Sequence, residues 1–216
     1  MSLSKVIEIA VGELGQHEAP AGSNRVKYWE WWPAMQGQPW CVGFLGWTFD
    51  KAGESKAFFN GGKTASCTRL MELYKAEGRW FTDGNYQPGD LPIMTFSKTR
   101  EVQHCGLIID KSDDGGWYTV EGNTSPGMEG SQDRGGCVAK KIRYKANILG
   151  VCRPQYSEEP EIVVPDYKGR WSEEYWEKGI SLGIIKEAKD GKYRPTDNAT
   201  REEVLAMIIR SREESK

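Results

Sequence analysis

The chain has no long apolar run. A helix that crosses a bilayer needs about 20 consecutive apolar residues, and no stretch of the 216 residues approaches that length, so we expect no membrane insertion. The N-terminus also lacks a basic start followed by an apolar segment. No secretory signal is therefore predicted, and the protein is expected to be cytoplasmic when made.

Excess charge of one sign is missing too. The 29 Lys and Arg residues nearly balance the 31 Asp and Glu residues, which leaves a formal net charge of −2. Proteins that bind nucleic acid through its phosphates carry a basic patch, and no such patch stands out in this sequence. We therefore expect no nucleic-acid partner.

Cysteine is sparse and irregularly spaced. The five cysteines are an odd number, and no two of them form a Cys-x-x-Cys pair. The odd count argues against a closed disulfide framework, and the missing pair argues against a zinc site. We therefore expect reduced thiols, no metal ion and no other cofactor. The five are Cys41, Cys67, Cys105, Cys137 and Cys152.

One of these cysteines lies near the start of a helix-like stretch. Val42, Leu45 and Phe49 recur at helical spacing, which predicts a helix with one apolar face. Pro39 suits the start of a helix, so Cys41 is predicted in the first turn. Free backbone N–H groups and the positive end of the helix dipole favour a thiolate there. The alternative is that Cys41 is a small buried hydrophobic residue.

Helical patterns come first in the chain and strand patterns follow them. Short strand candidates lie at 91–96, 104–110, 117–121, 138–144 and 148–153. Helices followed by a meander of about five antiparallel strands predict an α+β domain over residues 1–154. Residues 155–165 are acidic and flanked by prolines, which predicts a linker. Residues 166–216 predict a small α-helical module.

Four polar residues are candidates for one active site. A cysteine nucleophile such as Cys41 needs a base, and the base needs a third group that orients it. His104, at the head of a strand, is one of only two histidines. Glu121 and Asn123 are two apart on the next strand and are expected to share a face, whereas Cys105 is expected to face away from His104 into the core. Each of these two residues also has a simpler interpretation: Glu121 as a surface residue and Asn123 as a turn residue.

Four segments, in this order along the chain, resemble the CHAP domain. They are residues 39–44, 87–91, 103–108 and 120–124, which read PWCVGF, QPGDL, QHCGLI and VEGNT. Residues 18–24 and Tyr28 add a likeness to phage-type lysins, and the whole resemblance covers roughly residues 4–154. CHAP domains are cysteine, histidine-dependent amidohydrolases or peptidases of a papain-related clan. The resemblance therefore implies a papain-related fold.

The resemblance also implies a role for each matched residue. Cys41 would be the nucleophile and His104 the general base and then acid. Glu121 would orient the imidazole, and Asn123 would be a further polar member. Some relatives bind calcium in an acidic loop before the nucleophile; this chain has no acidic cluster there, so no metal is expected.

The tail resembles a single S-layer homology repeat. The likeness includes Trp171, residues 193–195 (YRP) and residues 199–203 (ATREE), where Glu202 replaces the alanine of the family's Thr-Arg-Ala-Glu motif. That family anchors proteins to cell-wall polymers, which implies polymer contacts by Arg201 and Trp171. The guanidinium fork of Arg201 suits the carboxylate of an acidic or pyruvylated sugar. The alternative is that Arg201 pairs with nearby glutamates and only holds the helix.

These patterns together predict a peptidoglycan hydrolase that cuts an amide bond, either as an N-acetylmuramoyl-L-alanine amidase or as an endopeptidase. The missing signal fits a phage or prophage endolysin, which is released to act at the cell wall. Two other classes stay open from the sequence: a wall-binding or adhesion protein without catalysis, and a cysteine acyltransferase or peptidase with a non-wall substrate. Because one small repeat has little core, a homo-oligomer through the tail is a further hypothesis.

Overall fold

The computed structural model of this chain describes residues 3–58, 62–127, 135–157, 167, 169–182, 185, 193, 197–198 and 201–213, without the side chains of 203, 207 and 210–213. The chain divides into two compact units, Met1–Pro160 and Glu161–Lys216. Within the described residues, no helix combines the length and the apolar character needed to cross a membrane.

The N-terminal unit begins with helices. They are α1 (Leu3–Gly12), α2 (Cys41–Lys51), α3 (Ser55–Phe58) and α4 (Cys67–Ala76), with 3₁₀ turns at Lys27–Trp29, Pro33–Met35 and Lys145–Asn147. Local signals fix the helix ends. The Ser66 hydroxyl caps α4 by accepting a 3.3 Å hydrogen bond from the Arg69 backbone N–H. Gly53 follows α2 with a φ of 73°, the left-handed conformation that commonly ends a helix.

Helix α2 is enclosed on every side. Residues 41–49 are all buried, rather than only the single apolar face that the sequence predicts. Two glycines allow aromatic rings to lie directly against the helix. A β-carbon at Gly43 would come 2.9 Å from the Trp29 ring, and one at Gly46 would collide with the Trp31 ring. The aromatic residues that precede α2 thus pack against its first turns.

Among the described residues of this unit, seven strands form two antiparallel sheets. They are β1 (Trp80–Phe81), β2 (Leu91–Met94), β3 (His104–Cys105), β4 (Leu107–Lys111), β5 (Trp117–Thr124), β6 (Cys137–Arg143) and β7 (Ile148–Cys152). One sheet has the order β1-β7-β2-β3, and the other has the order β4-β5-β6. The α+β class is confirmed, whereas the predicted single meander of about five strands is wrong.

The meander prediction fails because the predicted strand 104–110 is divided at Gly106. The residues before it pair with β2 in one sheet, and the residues after it pair with β5 in the other. A β-carbon on Gly106 would lie 2.7 Å from Cγ of Glu121, so only glycine lets the chain pass this close. The break places His104 beside Glu121 although their strands belong to different sheets.

The start of the predicted linker packs against the N-terminal unit. The Tyr156 hydroxyl donates a 2.6 Å hydrogen bond to the Gly89 carbonyl, and the Tyr156 ring stacks on Phe49 with centroids 5.6 Å apart. The Ser157 backbone N–H donates a 3.1 Å hydrogen bond to the Glu54 carboxylate. These contacts extend the packed unit past residue 154. Residues 158–165 of the predicted linker lie outside the described residues.

The described part of the second unit consists of two helices and an aromatic cluster. Helix α5 spans Glu173–Ser181 and helix α6 spans Arg201–Glu213. The rings of Tyr167, Trp176 and Tyr193 pack together with centroids between 5.1 and 6.1 Å apart. This cluster gives the unit a small aromatic core.

The contact between β5 and α2 can be tested at Gly122. A β-carbon there would lie 2.7 Å from Cγ of Phe44 and 2.9 Å from the Trp40 ring. We expect Gly122→Ala to lower the free energy of unfolding by about 1–3 kcal/mol, because overpacking forces the two elements apart. Urea denaturation measures the loss. Gly12→Ala is the matched control, since a β-carbon there meets nothing within 4 Å; equal stabilities of the two variants would contradict the close packing.

Candidate functional site

Cys41 is the first residue of α2. This confirms its predicted place in the first helical turn, although the helix begins after Pro39 rather than at it. Trp40 is the N-cap residue and makes no side-chain capping hydrogen bond. The first backbone N–H groups of a helix have no acceptor within the helix, so they are available at the Cys41 end. Cys41 is nearly enclosed and keeps 7% of its surface exposed.

His104 contacts both of its predicted partners. It is 2% exposed, and its imidazole interacts with the Cys41 thiol closely enough to shift the pKa of both groups. Its Nε2 lies 3.1 Å from Oε2 of Glu121. Because Nε2 is engaged by Glu121, Nδ1 is the ring nitrogen left for the sulfur. The fold thus brings together three of the residues that the sequence analysis selected.

Glu121 is fully buried and is held by hydrogen bonds from three side chains. Besides His104, the Thr119 hydroxyl donates to Oε1 at 2.6 Å. Arg143 donates through Nε to Oε1 at 2.7 Å and through Nη2 to Oε2 at 2.6 Å. Two parallel hydrogen bonds from a guanidinium fix the plane of a carboxylate. Glu121 is therefore rigidly placed against the imidazole.

The charged side chains of this group stabilise one another in their ionised forms. Burial would raise the pKa of Glu121, but the hydrogen bonds and charges of Arg143 and His104 outweigh it and lower the pKa to about 2. Burial would likewise lower the pKa of His104, but its interactions with Cys41 and Glu121 raise the pKa to about 9. The carboxylate and the imidazolium are therefore the stable forms near neutral pH.

Two further thiols lie against Cys41. The sulfur atoms of Cys41, Cys67 and Cys105 all lie within 4.8 Å of one another, and those of Cys41 and Cys67 are 3.6 Å apart. We call these three residues the sulfur cluster. Hydrogen bonds from Cys105, then Cys67, then His104 hold the pKa of Cys41 well below its usual value, against the effect of burial. Burial, followed by the hydrogen bond to Cys41, raises the pKa of Cys105. The negative charge of the cluster thus resides on Cys41.

The expectation that Cys105 faces away from the site is wrong. Cys105 is fully buried, as predicted, but its sulfur lies within 4.8 Å of the sulfur atoms of Cys41 and Cys67. Strand β3 is only two residues long and the chain bends at Gly106, so the alternation of a long flat strand does not apply. A residue taken for core packing is therefore part of the site.

Asn123 does not join this group. The pairing of β5 with β6 shifts register between Glu121 and Thr124, and Asn123 has a φ of 55°. A bulge of this kind breaks strand alternation, so the expectation that Asn123 shares a face with Glu121 is wrong. Within the described residues, Asn123 makes no side-chain hydrogen bond to Cys41, His104 or Glu121.

A groove of about 330 Å³ lies beside the segments that carry two of the sulfur atoms. Pro39, two residues before Cys41, lines it, and so does Ser66, the residue before Cys67. Trp32 and Met35 supply apolar surface to the same groove. Grooves lined by aromatic and apolar side chains are suited to binding extended ligands.

Three site residues were not predicted from the sequence: Arg143, Thr119 and Cys67. The burial of Arg143 follows from strand alternation, because every second residue of β6 from Cys137 is buried and this series includes Lys141 and Arg143. A charge on the inward face of a strand needs a buried partner. Sequence alone does not say which carboxylate that partner is. Cys67 had no comparable signal.

The two residues selected on the tail lie on the surface of the second unit. Arg201 is exposed at the start of α6. Trp171 is 90% exposed, and its ring lies 6.4 Å from that of Tyr175. Exposed aromatic faces of this kind can stack on sugar rings. Thr200, the residue before Arg201 in the repeat motif, lies outside the described residues.

Comparison with known families identifies the tail. Residues 165–205 match the S-layer homology domain, which confirms the resemblance predicted from its motifs. Domains of this family typically bind secondary polymers of the bacterial cell wall. No curated protein sequence matches the chain. The resemblance of the N-terminal unit to CHAP domains stays a prediction from its four motifs.

The pairing of Arg143 with Glu121 can be tested by removing the guanidinium. We expect Arg143→Met to lower the free energy of unfolding by about 3–5 kcal/mol, because it leaves a buried carboxylate without its main partner. Arg143→Lys keeps the charge but not the paired N–H groups, so its loss of unfolding free energy should be smaller than that of Arg143→Met. Urea denaturation at neutral pH measures both losses. A change of under about 1 kcal/mol in Arg143→Met, typical of exposed pairs, would contradict a buried role.

Proposed function

We propose that the N-terminal unit is a cysteine-dependent amidohydrolase or peptidase of the CHAP type, with a papain-related fold, and that it cleaves an amide bond of peptidoglycan. The electrostatic interaction of Cys41 with His104, and the 3.1 Å contact of His104 with Glu121, support this proposal. A nucleophile, a base and an orienting carboxylate in mutual contact are the parts that covalent acyl transfer needs.

The chemistry follows from the charges at the site. The Cys41 thiolate attacks the carbonyl carbon of the amide, and a C–S bond forms as the carbonyl electrons move to oxygen. Backbone N–H groups at the start of α2 would hold that oxyanion. His104 then gives its proton to the leaving amine, and the C–N bond breaks to leave an acyl-enzyme.

Water completes the cycle. His104, now neutral, takes a proton from a water molecule, and the resulting hydroxide attacks the thioester carbon. The C–S bond breaks, the acyl group leaves as a carboxylic acid and Cys41 returns to its thiolate form. Glu121 contacts only the imidazole in this scheme, so it is a positioning residue that keeps the ring oriented and its protonated form stable.

The second unit favours a wall substrate. S-layer homology domains typically bind secondary wall polymers, so a module of this type would hold the enzyme beside peptidoglycan. Tethering raises the effective concentration of cleavable bonds without any new contact at Cys41. The candidate bonds are the N-acetylmuramoyl-L-alanine amide and the peptide bonds of the stem or cross-bridge. We propose that the protein is the endolysin of a phage or prophage.

A wall-binding or adhesion protein without catalysis is the second candidate. The family match at residues 165–205 favours wall binding directly. The near enclosure of Cys41 by two other thiols also narrows the approach of a substrate. This candidate predicts cosedimentation with cell walls and no release of new amino groups.

Loss of the nucleophile should end hydrolysis. We expect Cys41→Ala to slow the loss of turbidity of purified cell walls by at least about 10³-fold, because Cys41 is the thiolate of the sulfur cluster and the raised pKa values of Cys67 and Cys105 keep those thiols protonated. Cys137→Ser is the matched control, since Cys137 donates its S–H to the Thr124 carbonyl, away from the Cys41–His104 contact. Mass spectrometry of the digests identifies the bond that is cut.

The same digests separate the rival functions. Undiminished lysis by Cys41→Ala would contradict the hydrolase proposal. The proposal would also be wrong if the unaltered protein left every type of peptidoglycan intact. Products that form only when an acceptor amine is added would instead indicate an acyltransferase. Cleavage of ordinary peptides alone would indicate a peptidase with a non-wall substrate.

Wall binding should depend on Arg201. We expect Arg201→Ala to weaken cosedimentation with walls that retain their secondary polymers by about 10-fold, the value of one charge-assisted hydrogen bond. Arg25→Ala is the control, since it removes an exposed arginine from the N-terminal unit. Walls stripped of secondary polymer should retain neither variant. Equal binding by Arg201→Ala and the unaltered protein would show that Arg201 does not bind the polymer and serves only to hold the helix.

A further inference from the structure

The sulfur cluster has the dimensions of a metal site. Four ligands around a zinc ion, with Zn–S bonds of about 2.3 Å, place tetrahedral sulfur atoms roughly 3.8 Å apart. In this protein the sulfurs of Cys41 and Cys67 are 3.6 Å apart, and the third sulfur lies within 4.8 Å of both. Shifts of about 1 Å or less at the sulfur atoms would therefore equalise the three separations.

The imidazole of His104 is the nearby side chain that could supply a fourth donor. It interacts with the Cys41 thiol, but its ring nitrogens do not lie within 4.8 Å of all three sulfur atoms, so the ring would have to turn towards Cys67 and Cys105 to complete the site. Its Nε2 is held by the Glu121 carboxylate at 3.1 Å. Histidines that bind metals usually donate their second N–H to a carboxylate or carbonyl, which fixes the ring for coordination. Glu121 would serve His104 in this way without touching the ion.

The donor set selects the kind of cation. Three sulfur ligands and one nitrogen ligand suit zinc, whereas calcium and magnesium require oxygen ligands. The four donors come from α2, β3 and the start of α4. All four side chains are mostly buried, so the site would be closed to water, as structural zinc sites are.

We propose that the sulfur cluster and His104 bind one Zn²⁺ ion with four-coordinate Cys₃His geometry. Three S–Zn bonds and one N–Zn bond form, no electrons are transferred, and any protons that the ligands carry pass to solvent. The sequence did not suggest such a site because its cysteines lie on separate elements, without the Cys-x-x-Cys spacing of common zinc motifs.

Zinc in this position would control the nucleophile. This consequence, unlike the binding itself, rests on the proposed function. A Cys41 sulfur bound to zinc cannot attack a carbonyl, and a His104 nitrogen bound to zinc cannot carry a proton. Bound zinc would therefore hold the enzyme inactive, and removal of the ion by a chelator would release the activity.

The binding is tested without reference to activity. Reduced full-length protein, freed of metal by a chelator, is titrated with Zn²⁺ in competition with a chromophoric chelator, and separately with Co²⁺. We expect one Zn²⁺ per chain, and with Co²⁺ a thiolate charge-transfer band together with the visible bands of a tetrahedral site. X-ray absorption of the zinc-loaded protein should show three sulfur neighbours and one nitrogen neighbour.

Single substitutions then locate the site. Cys67→Ser and Cys105→Ser should each weaken Zn²⁺ binding by more than about 100-fold, since even outer-shell partners are worth 10–100-fold. Cys137→Ser should bind as the unaltered protein does. If either cluster variant fails to fold, the X-ray absorption of the unaltered protein still decides. Unchanged affinity in the folded cluster variants, or coordination without sulfur, would overturn the proposal.

An assay of cell-wall lysis then tests separately whether bound zinc inactivates the enzyme. Zn²⁺ at one equivalent should stop cell-wall lysis by the unaltered protein, and chelator should restore it. If the metal-free protein is inactive on every wall, the hydrolase proposal fails while the zinc site stands. If the protein is active and Zn²⁺ does not bind, the zinc proposal fails while the hydrolase proposal stands.

Discussion

The buried pair of Glu121 and Arg143 is the interaction on which the site depends. A carboxylate without a partner in this position would take up a proton, because burial disfavours its charge. The guanidinium keeps it ionised through two parallel hydrogen bonds. The ionised Glu121 then favours the protonated form of His104, and the hydrogen bonds of Cys105 and Cys67, together with the imidazolium, favour the thiolate of Cys41. Charge thus alternates from β6 through β5 and β3 to α2, and each member stabilises the next.

This line of charges requires backbones that approach closely, and two glycines provide the approach. At Gly106 the chain passes from one sheet to the other against the Glu121 side chain, where a β-carbon would lie 2.7 Å from Cγ. At Gly122 strand β5 lies against Phe44 of α2. A larger residue at either point would move the carboxylate away from the imidazole or the strand away from the helix. These glycines therefore position the site as directly as the charged residues do.

Local patterns were enough to predict the α+β class, the first-turn position of Cys41 and the family of the tail, because periodicity, proline placement and short motifs act over a few residues. The division of the strand at Gly106, the bulge at Asn123 and the partner of Glu121 were not predictable in this way. Each depends on contacts between segments far apart in the chain. The sulfur cluster is the clearest example, since its three cysteines share no spacing signal and meet only in the fold.

The environment of Cys41 bears equally on both proposals for this sulfur. Thiol and imidazole donors that stabilise a thiolate are, once deprotonated, ligands for a soft cation, so the same neighbours suit a nucleophile and a zinc ligand. Hydrolysis requires that Cys67 and Cys105 keep their protons and donate them to Cys41. Metal binding requires that they lose them. Whether the cluster holds protons or an ion is therefore the physical variable that would decide between catalysis and a closed, inactive site.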